Sequence, residues 1–324
     1  MSRESVLVDE LVCTDATGTR EEALACLRRF REAKVGMVSL TVGSIATTEA
    51  VFRTIAQHEG IVSSFPDEFA RVRAAGDIGR CRTEGRLGIS YNLQCTTALA
   101  GDLSLIGVFY DLGVRQMLMA FNRRNLVADG CHERADGGLS LFGVSVIEEM
   151  NRVGMIVDLT HTSYKATMEA MEVSTAPVIF SHSNPRKLKD HRRNITDDQI
   201  VGCARTGGLI GVTGFGLILG DNEATPALIA RHMDYVAQLV GPQHVGFGSD
   251  HVHHEAKLIA AVRRTPEIWP AEGGYRDVDR FAFLQPEQFA AIPEELSRLG
   301  YGDADIRAML GGNYVRVANA VWKN

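Results

Sequence analysis

The chain has 324 residues, 45% of them hydrophobic and 23% charged, which fits a folded globular protein and excludes a disordered or fibrous one. Lys and Arg number 34 against 40 Asp and Glu, so the net charge is −6 and no basic excess exists to neutralise phosphates; nucleic acid is excluded as the main partner. No run of about 18 apolar residues occurs, so neither a membrane span nor a membrane partner is expected.

Short apolar runs alternate with longer amphipathic ones along the chain. In order, the pattern predicts a strand over 6–12, a helix over 20–33, strands over 35–42 and 87–93, a helix over 102–112, and a strand over 114–121. A helix over 141–153, a strand over 155–160, a helix over 164–172 and a strand over 177–182 follow. Thr196-Asp-Asp-Gln opens a helix over 197–206, and Gly207-Gly208 closes it before a strand over 209–215. A helix over 226–240 and a strand over 244–250 complete the alternation. Residues 255–324 read as an irregular segment followed by helices over 286–299, 304–310 and 313–322.

Several runs are apolar on both faces, as in Met155-Ile-Val-Asp-Leu, which suits a parallel sheet covered on both sides. Eight strands alternating with helices in about 250 residues predict a closed α/β barrel of the (β/α)8 TIM type. A doubly wound open sheet is the alternative, weakened by the lack of a G-x-G-x-x-G after the first strand. The expected organisation is one barrel domain over 1–324, with 255–324 as a C-terminal loop and helical extension.

In such a barrel the site lies at the C-terminal strand ends. The polar residues there are Asn92 and Gln94, Asn122 beside Phe121, Asp158 and His161, Ser181 to Asn184 with His182, and Ser249 to His251 with Asp250. His161, His182 and Asp250 come from three separate strand ends and converge on one mouth. Neutral imidazoles are common zinc ligands, and a nearby carboxylate can take a proton during hydrolysis. His251, His253 and His254 share one loop and are either extra ligands or a flexible surface cluster. Arg192-Arg193 is either a solvated basic stretch or an anion clamp, because guanidinium pairs bidentately with carboxylate. Cys131-His132-Glu133 lies in a Gly-flanked loop on the same face and is a candidate for substrate contact; Asp158 is expected to be hydrogen-bonded inside the barrel. No G-x-S-x-G elbow supports a Ser nucleophile. The six cysteines are scattered without a C-x-x-C pair, and the N-terminal stretch lacks the basic and apolar regions of a signal peptide. A cytoplasmic protein with reduced thiols is expected.

Five stretches together resemble the renal (membrane) dipeptidase family of zinc peptidases. They are Glu149-Met-Asn-Arg-Val-Gly-Met-Ile-Val-Asp-Leu-Thr-His161, Ala176-Pro-Val-Ile-Phe-Ser-His182-Ser, Arg192-Arg-Asn-Ile-Thr-Asp-Asp198, Asp136-Gly-Gly-Leu-Ser-Leu-Phe-Gly143 and Val245-Gly-Phe-Gly-Ser-Asp250. The resemblance implies a (β/α)8 barrel of the metal-dependent-hydrolase type. It implies that His161 and His182 hold one zinc, that Arg193 binds the substrate carboxylate, and that Asp250 manages protons as the catalytic acid. The family's His-x-Asp pair at the end of strand one aligns with Leu11 and Cys13, its bridging glutamate with Gln94, and its histidine after strand four with Phe121. The first metal site is therefore expected to be dismantled, with one divalent ion, most simply zinc, left at His161, His182 and the Gln94 oxygen. Cys13 and Asp15 are candidates for rebuilding ligands at strand one. Phe121 and Asn122 are expected to contact substrate.

These features imply a metal-dependent hydrolase that cleaves a peptide-like amide in a small, dipeptide-like substrate bearing a free carboxylate, with ordinary dipeptides as poor substrates. A single-metal lyase or isomerase on a small carboxylated metabolite, or a non-catalytic ligand-binding relative, are the alternatives. Homo-oligomer formation stays open.

Overall fold

The computed structural model describes residues 6–13 and 18–323. The strands are β1 (Val8–Cys13), β2 (Met37–Gly43), β3 (Phe69–Arg71), β4 (Leu87–Leu93), β5 (Val114–Leu118), β6 (Ile156–Asp158), β7 (Ile179–Phe180), β8 (Leu209–Thr213), β9 (Val245–Gly248) and β10 (His251–Val252). All pair in parallel. Neighbours run β10-β1-β2-β4-β5-β6-β7-β8-β9, with β3 attached to β4 alone. β10 follows β9 through Ser249 and Asp250 and pairs with β1, so the row returns to its start and the sheet closes as a barrel. Every residue of β2 and β4 is buried, as strands covered on both faces require.

Each of the eight expected runs holds one strand of the ring, several of them shortened. The run over 114–121 stops at Leu118, that over 155–160 at Asp158, and that over 177–182 keeps only Ile179–Phe180. Polar side chains take over the backbone there: Asp158 Oδ1 accepts from the Thr160 and Ser181 amides at 3.1 and 3.2 Å, replacing ladder bonds with local ones. Capping fixes several of the helices. Thr19 and Glu22 form a capping box that opens Arg20–Glu32, and Thr196 with Gln199 opens Asp197–Arg205. The segment after the last strand is not irregular at its start, as expected from sequence: Glu255–Arg264 is a helix with one buried residue, Val262. Helices Thr48–Ser64 and Ala75–Thr83 are further additions to the expected set.

Glu10 lies inside the barrel. A Cβ on Gly211 or Gly246 would stand 2.6 or 2.0 Å from its carboxylate oxygens, so glycine at those two positions makes the room. The N-terminal strand residues Val8, Met37, Ile156, Ile179 and Leu209 pack on Tyr314, Val317, Ala318 and Val321 of the helix Asn313–Val321, which covers the end opposite the mouth. No helix among the described residues is long and apolar enough to cross a membrane.

Candidate active site

The C-terminal strand ends bring Cys13, Gln94, Phe121, His161 and Asp250 around a cavity of about 760 Å³, joined by Arg193 from the loop after β7. Three of the residues that shape this mouth have left-handed backbones: Asn122 (φ 60°), His161 (φ 64°) and Asp250 (φ 54°). Such a conformation costs a non-glycine residue about 1–3 kcal/mol and persists only where neighbours enforce it. Here they do. The His132 amide donates to the Asn122 carbonyl at 2.9 Å, the Cys131 amide to the His161 carbonyl at 2.8 Å, and the Asp250 amide to the Leu11 carbonyl at 3.1 Å. Gly130 lets that loop approach, since a Cβ there would lie 2.2 Å from the Asn122 carbonyl carbon.

The two imidazoles face one another with ring centroids 5.2 Å apart. His161 Nδ1 lies 2.7 Å from Asn122 Oδ1, and the Asn122 amide nitrogen donates to the Ile268 carbonyl at 3.2 Å, which fixes the amide orientation. Nδ1 of His161 therefore carries the proton, and the lone pair is left on Nε2. His182 Nδ1 pairs with Ser181 Oγ at 2.7 Å, while its Nε2 is buried without a hydrogen-bond partner. Burial, reinforced by the nearby Arg193 charge, holds both rings neutral, the form that donates to a metal.

Around them, Cys13 Sγ donates to Asp250 Oδ1 at 3.7 Å, and the Gln94 amide nitrogen donates to Cys13 Sγ at 3.0 Å and to Thr41 Oγ1 at 2.9 Å. What Gln94 has left to offer is its oxygen. Burial pushes the Asp250 carboxyl up to about 6, against the opposing pull of Arg193 and the Cys13 thiol. Burial and the Asp250 charge raise the Cys13 thiol, which stays protonated.

Of the two readings open for Arg192-Arg193, a solvated stretch does not hold for Arg193. It is 3% accessible, and its guanidinium donates to the His182 carbonyl at 3.0 Å and to Ser183 Oγ at 3.4 Å, whereas Arg192 is exposed. The structure also moves Asn122: it is fully buried and its amide is committed to His161 and Ile268, so it sits behind a site residue and does not line the cavity. Phe121 does line the cavity, stacked on His161 at 4.1 Å and edge-on to Trp269 at 5.5 Å. Leu11 is wholly buried. Asp15 lies outside the described residues. His254 borders the cavity; His251 and His253 do not. His132 bonds Tyr275 Oη at 2.9 Å and Cys131 Sγ donates to Asn122 Oδ1 at 3.6 Å, so this loop supports the wall and the site.

One wall was missed by sequence reasoning. Trp269, Tyr275, Phe281 and Phe283 line the cavity with Phe121 and Phe215, and His191 Nε2 at 2.9 Å from the Gly273 carbonyl helps pin that segment. The available signal is four aromatic residues within fifteen positions of the C-terminal extension.

Two buried neutral imidazoles, one with an orphaned Nε2, are a metal-ready pair. Among the described residues, no set of three mutually close His, Cys, Asp or Glu ligand atoms includes them. At the end of β1, Leu11 has no donor and Cys13 is a protonated thiol.

A model of the family described as membrane dipeptidase (peptidase family M19) matches residues 21–268. Dipeptidase verJ of Clonostachys rogersoniana is 30% identical over 263 residues, 81% of this chain and 62% of that protein. The solved amidohydrolase from Pseudomonas aeruginosa superposes with a TM-score of 0.88 at 29% identity, covering 99% of this chain and 97% of that one. A metallopeptidase from Rhodobacter sphaeroides, liganded with a phosphinate mimic of the dipeptide L-Ala-D-Ala, shares the fold with a TM-score of 0.77 at 17% identity, over 98% and 100% of the two chains. The chain spans between 46% and 65% of the length of the curated relatives it matches.

Proposed function

The chain belongs to the membrane dipeptidase family, and from that premise we propose that it is a metal-dependent hydrolase of a peptide-like amide in a small substrate with a free carboxylate. The observation that carries this is a neutral imidazole, His161, a fixed cation, Arg193, and a titratable acid, Asp250, lining one cavity, with the second neutral imidazole, His182, buried against His161 at 5.2 Å between ring centroids.

His161, His182 and the Gln94 oxygen would hold one divalent ion, zinc by the donor chemistry, which when bound supplies Lewis-acid polarisation of the scissile carbonyl. Asp250, ionised above about pH 6, takes a proton from the attacking water and returns it to the leaving amine. Arg193 grips the substrate carboxylate with the guanidinium edge not bound to His182 and Ser183. Phe121 and Trp269 exclude water and favour a substrate with an apolar flank. Asn122 orients His161. With Leu11, Cys13, Gln94 and Phe121 in place of ligand and catalytic groups, ordinary dipeptides should turn over slowly. The same losses favour, as a second reading, a single-metal lyase or isomerase on a carboxylated metabolite.

The proposal takes residues 1–324 as one barrel domain with 255–324 as its extension. It sets the protein in the cytoplasm, in keeping with six free cysteines. Its test is amine release by metal-quantified protein from apolar dipeptides and from the same compounds with an amidated C-terminus. Release from the free acids, lost with about one equivalent of metal in His182→Ala, is expected. No release from any free acid, or unchanged metal in His182→Ala, would overturn it.

A further inference from the structure

We propose that Cys26, His251 and His253 form a metal site of their own, outside the mouth, for a thiolate-binding divalent ion of the zinc class. The three side chains bring one ligand atom each within 4.8 Å of one another, the one such group of three among the described residues. Cys26 comes from the helix Arg20–Glu32 and His251 from β10. Val252, between the two histidines, lines the cavity, which neither His251 nor His253 does.

Burial and unmet hydrogen bonding point to a ligand. Cys26 and His251 are 0% and 1% accessible. Nδ1 of His251 and Nδ1 of His253 are both buried with no hydrogen-bond partner. A buried polar atom left unpaired is costly, and two in one three-residue group are better explained by something that binds them. The donors are chemically matched: one sulfur and two imidazole nitrogens suit zinc, with a fourth position for water. Burial keeps both imidazoles in the neutral, donating form, His251 being pushed down to about 4. Burial also holds the Cys26 thiol protonated, up to about 12, so binding of the ion releases that proton to solvent as the sulfur becomes a thiolate.

The neighbouring cation does not forbid this. Arg29 Nη1 lies 3.4 Å from His251 Nε2, but its guanidinium is neutralised by both oxygens of Glu287 at 2.8 Å and bonds Gln285 at 2.9 Å. A metal here would tie the first helix to the strand that closes the barrel, one residue from Asp250.

The probe is cobalt(II), titrated into metal-free protein carrying His182→Ala and Cys13→Ser, which removes an imidazole and the thiol of the mouth. One equivalent should bind with the near-ultraviolet charge-transfer band of a cobalt–thiolate bond. Adding Cys26→Ser should abolish the band, and adding His253→Ala should weaken binding at least about tenfold. His253 is half-buried, so that variant decides the matter if Cys26→Ser does not fold. No band in the parent protein, a band that survives Cys26→Ser, or an affinity unchanged by His253→Ala would overturn the site.

Discussion

Asp9→Asn should change how the stability of this protein depends on pH. Asp9 is wholly buried on β1, where its Oδ1 accepts from the Ser249 amide at 2.8 Å and the Leu11 amide at 3.3 Å while Oδ2 has no partner. Burial pushes its carboxyl from 3.8 up to about 7, against the lowering effect of those bonds. The folded protein thus keeps a proton that the unfolded chain releases near pH 4. Between those values the unfolded state binds fewer protons, so stability falls as pH rises from about 4 to about 7 and is flat on either side. A shift of about three units corresponds to about 4 kcal/mol. Asparagine keeps the acceptor and the shape but has no proton to lose. Urea unfolding of both proteins at intervals from about pH 4 to pH 8 reads the difference, in which titrations remote from Asp9 cancel. The variant should gain about 4 kcal/mol on the wild type between the acid and neutral ends. Parallel profiles, within about 1 kcal/mol, would refute a proton on Asp9 in the folded state.

Arg193→Lys should weaken binding of a carboxylate substrate by about 1.5–3 kcal/mol, because an ammonium cannot make the paired bond, and it should also lower stability by about 1–3 kcal/mol through the lost contacts with His182 and Ser183. Exposed Arg192→Lys should do neither, and equal KM and Tm changes in the two would remove Arg193 from the site. Asn122→Ala should lower metal affinity about 10–100-fold in chelator competition by freeing His161, with Asn122→Asp, which retains the acceptor, largely restoring it; unchanged affinity in the alanine variant would remove the positioning role.

The barrel was legible because its strands are apolar on both faces, a property of single residues in a row. β3 and β10 were not, because Phe69–Arg71 and His251–Val252 sit among charged and polar residues with no apolar run to mark them, unlike the equally short β6 and β7. His161, His182 and Asp250 are singled out in the sequence by position at strand ends, and the structure brings His161 and Asp250 to the cavity with His182 beside His161. Arg193 is singled out by its basic stretch and by resemblance to a family, but its burial is not legible, since it depends on the His182 carbonyl, a backbone group any sequence supplies. Asn122 was read as a substrate contact because strand-end position says nothing of which way an amide points. The aromatic wall escaped because Trp269 to Phe283 follows no repeat and is held at the mouth by contacts distant in sequence, among them the bonds of His132 and His191.

The helix Asn313–Val321 has a consequence for the making of the protein. Tyr314 Oη donates to Gln116, Gln116 donates to the Glu10 carbonyl, and Asn313 donates to the Val245 and Pro242 carbonyls, so one late helix touches β5 and β9 and, through Gln116, reaches β1. A ribosome reads from the N-terminus, and every barrel strand emerges before residue 313. Until then Val8, Met37, Ile156, Ile179 and Leu209 have no partner from this helix, and the nascent chain presents an apolar ring to water. The apolar end of the barrel is therefore closed only after every strand has been made.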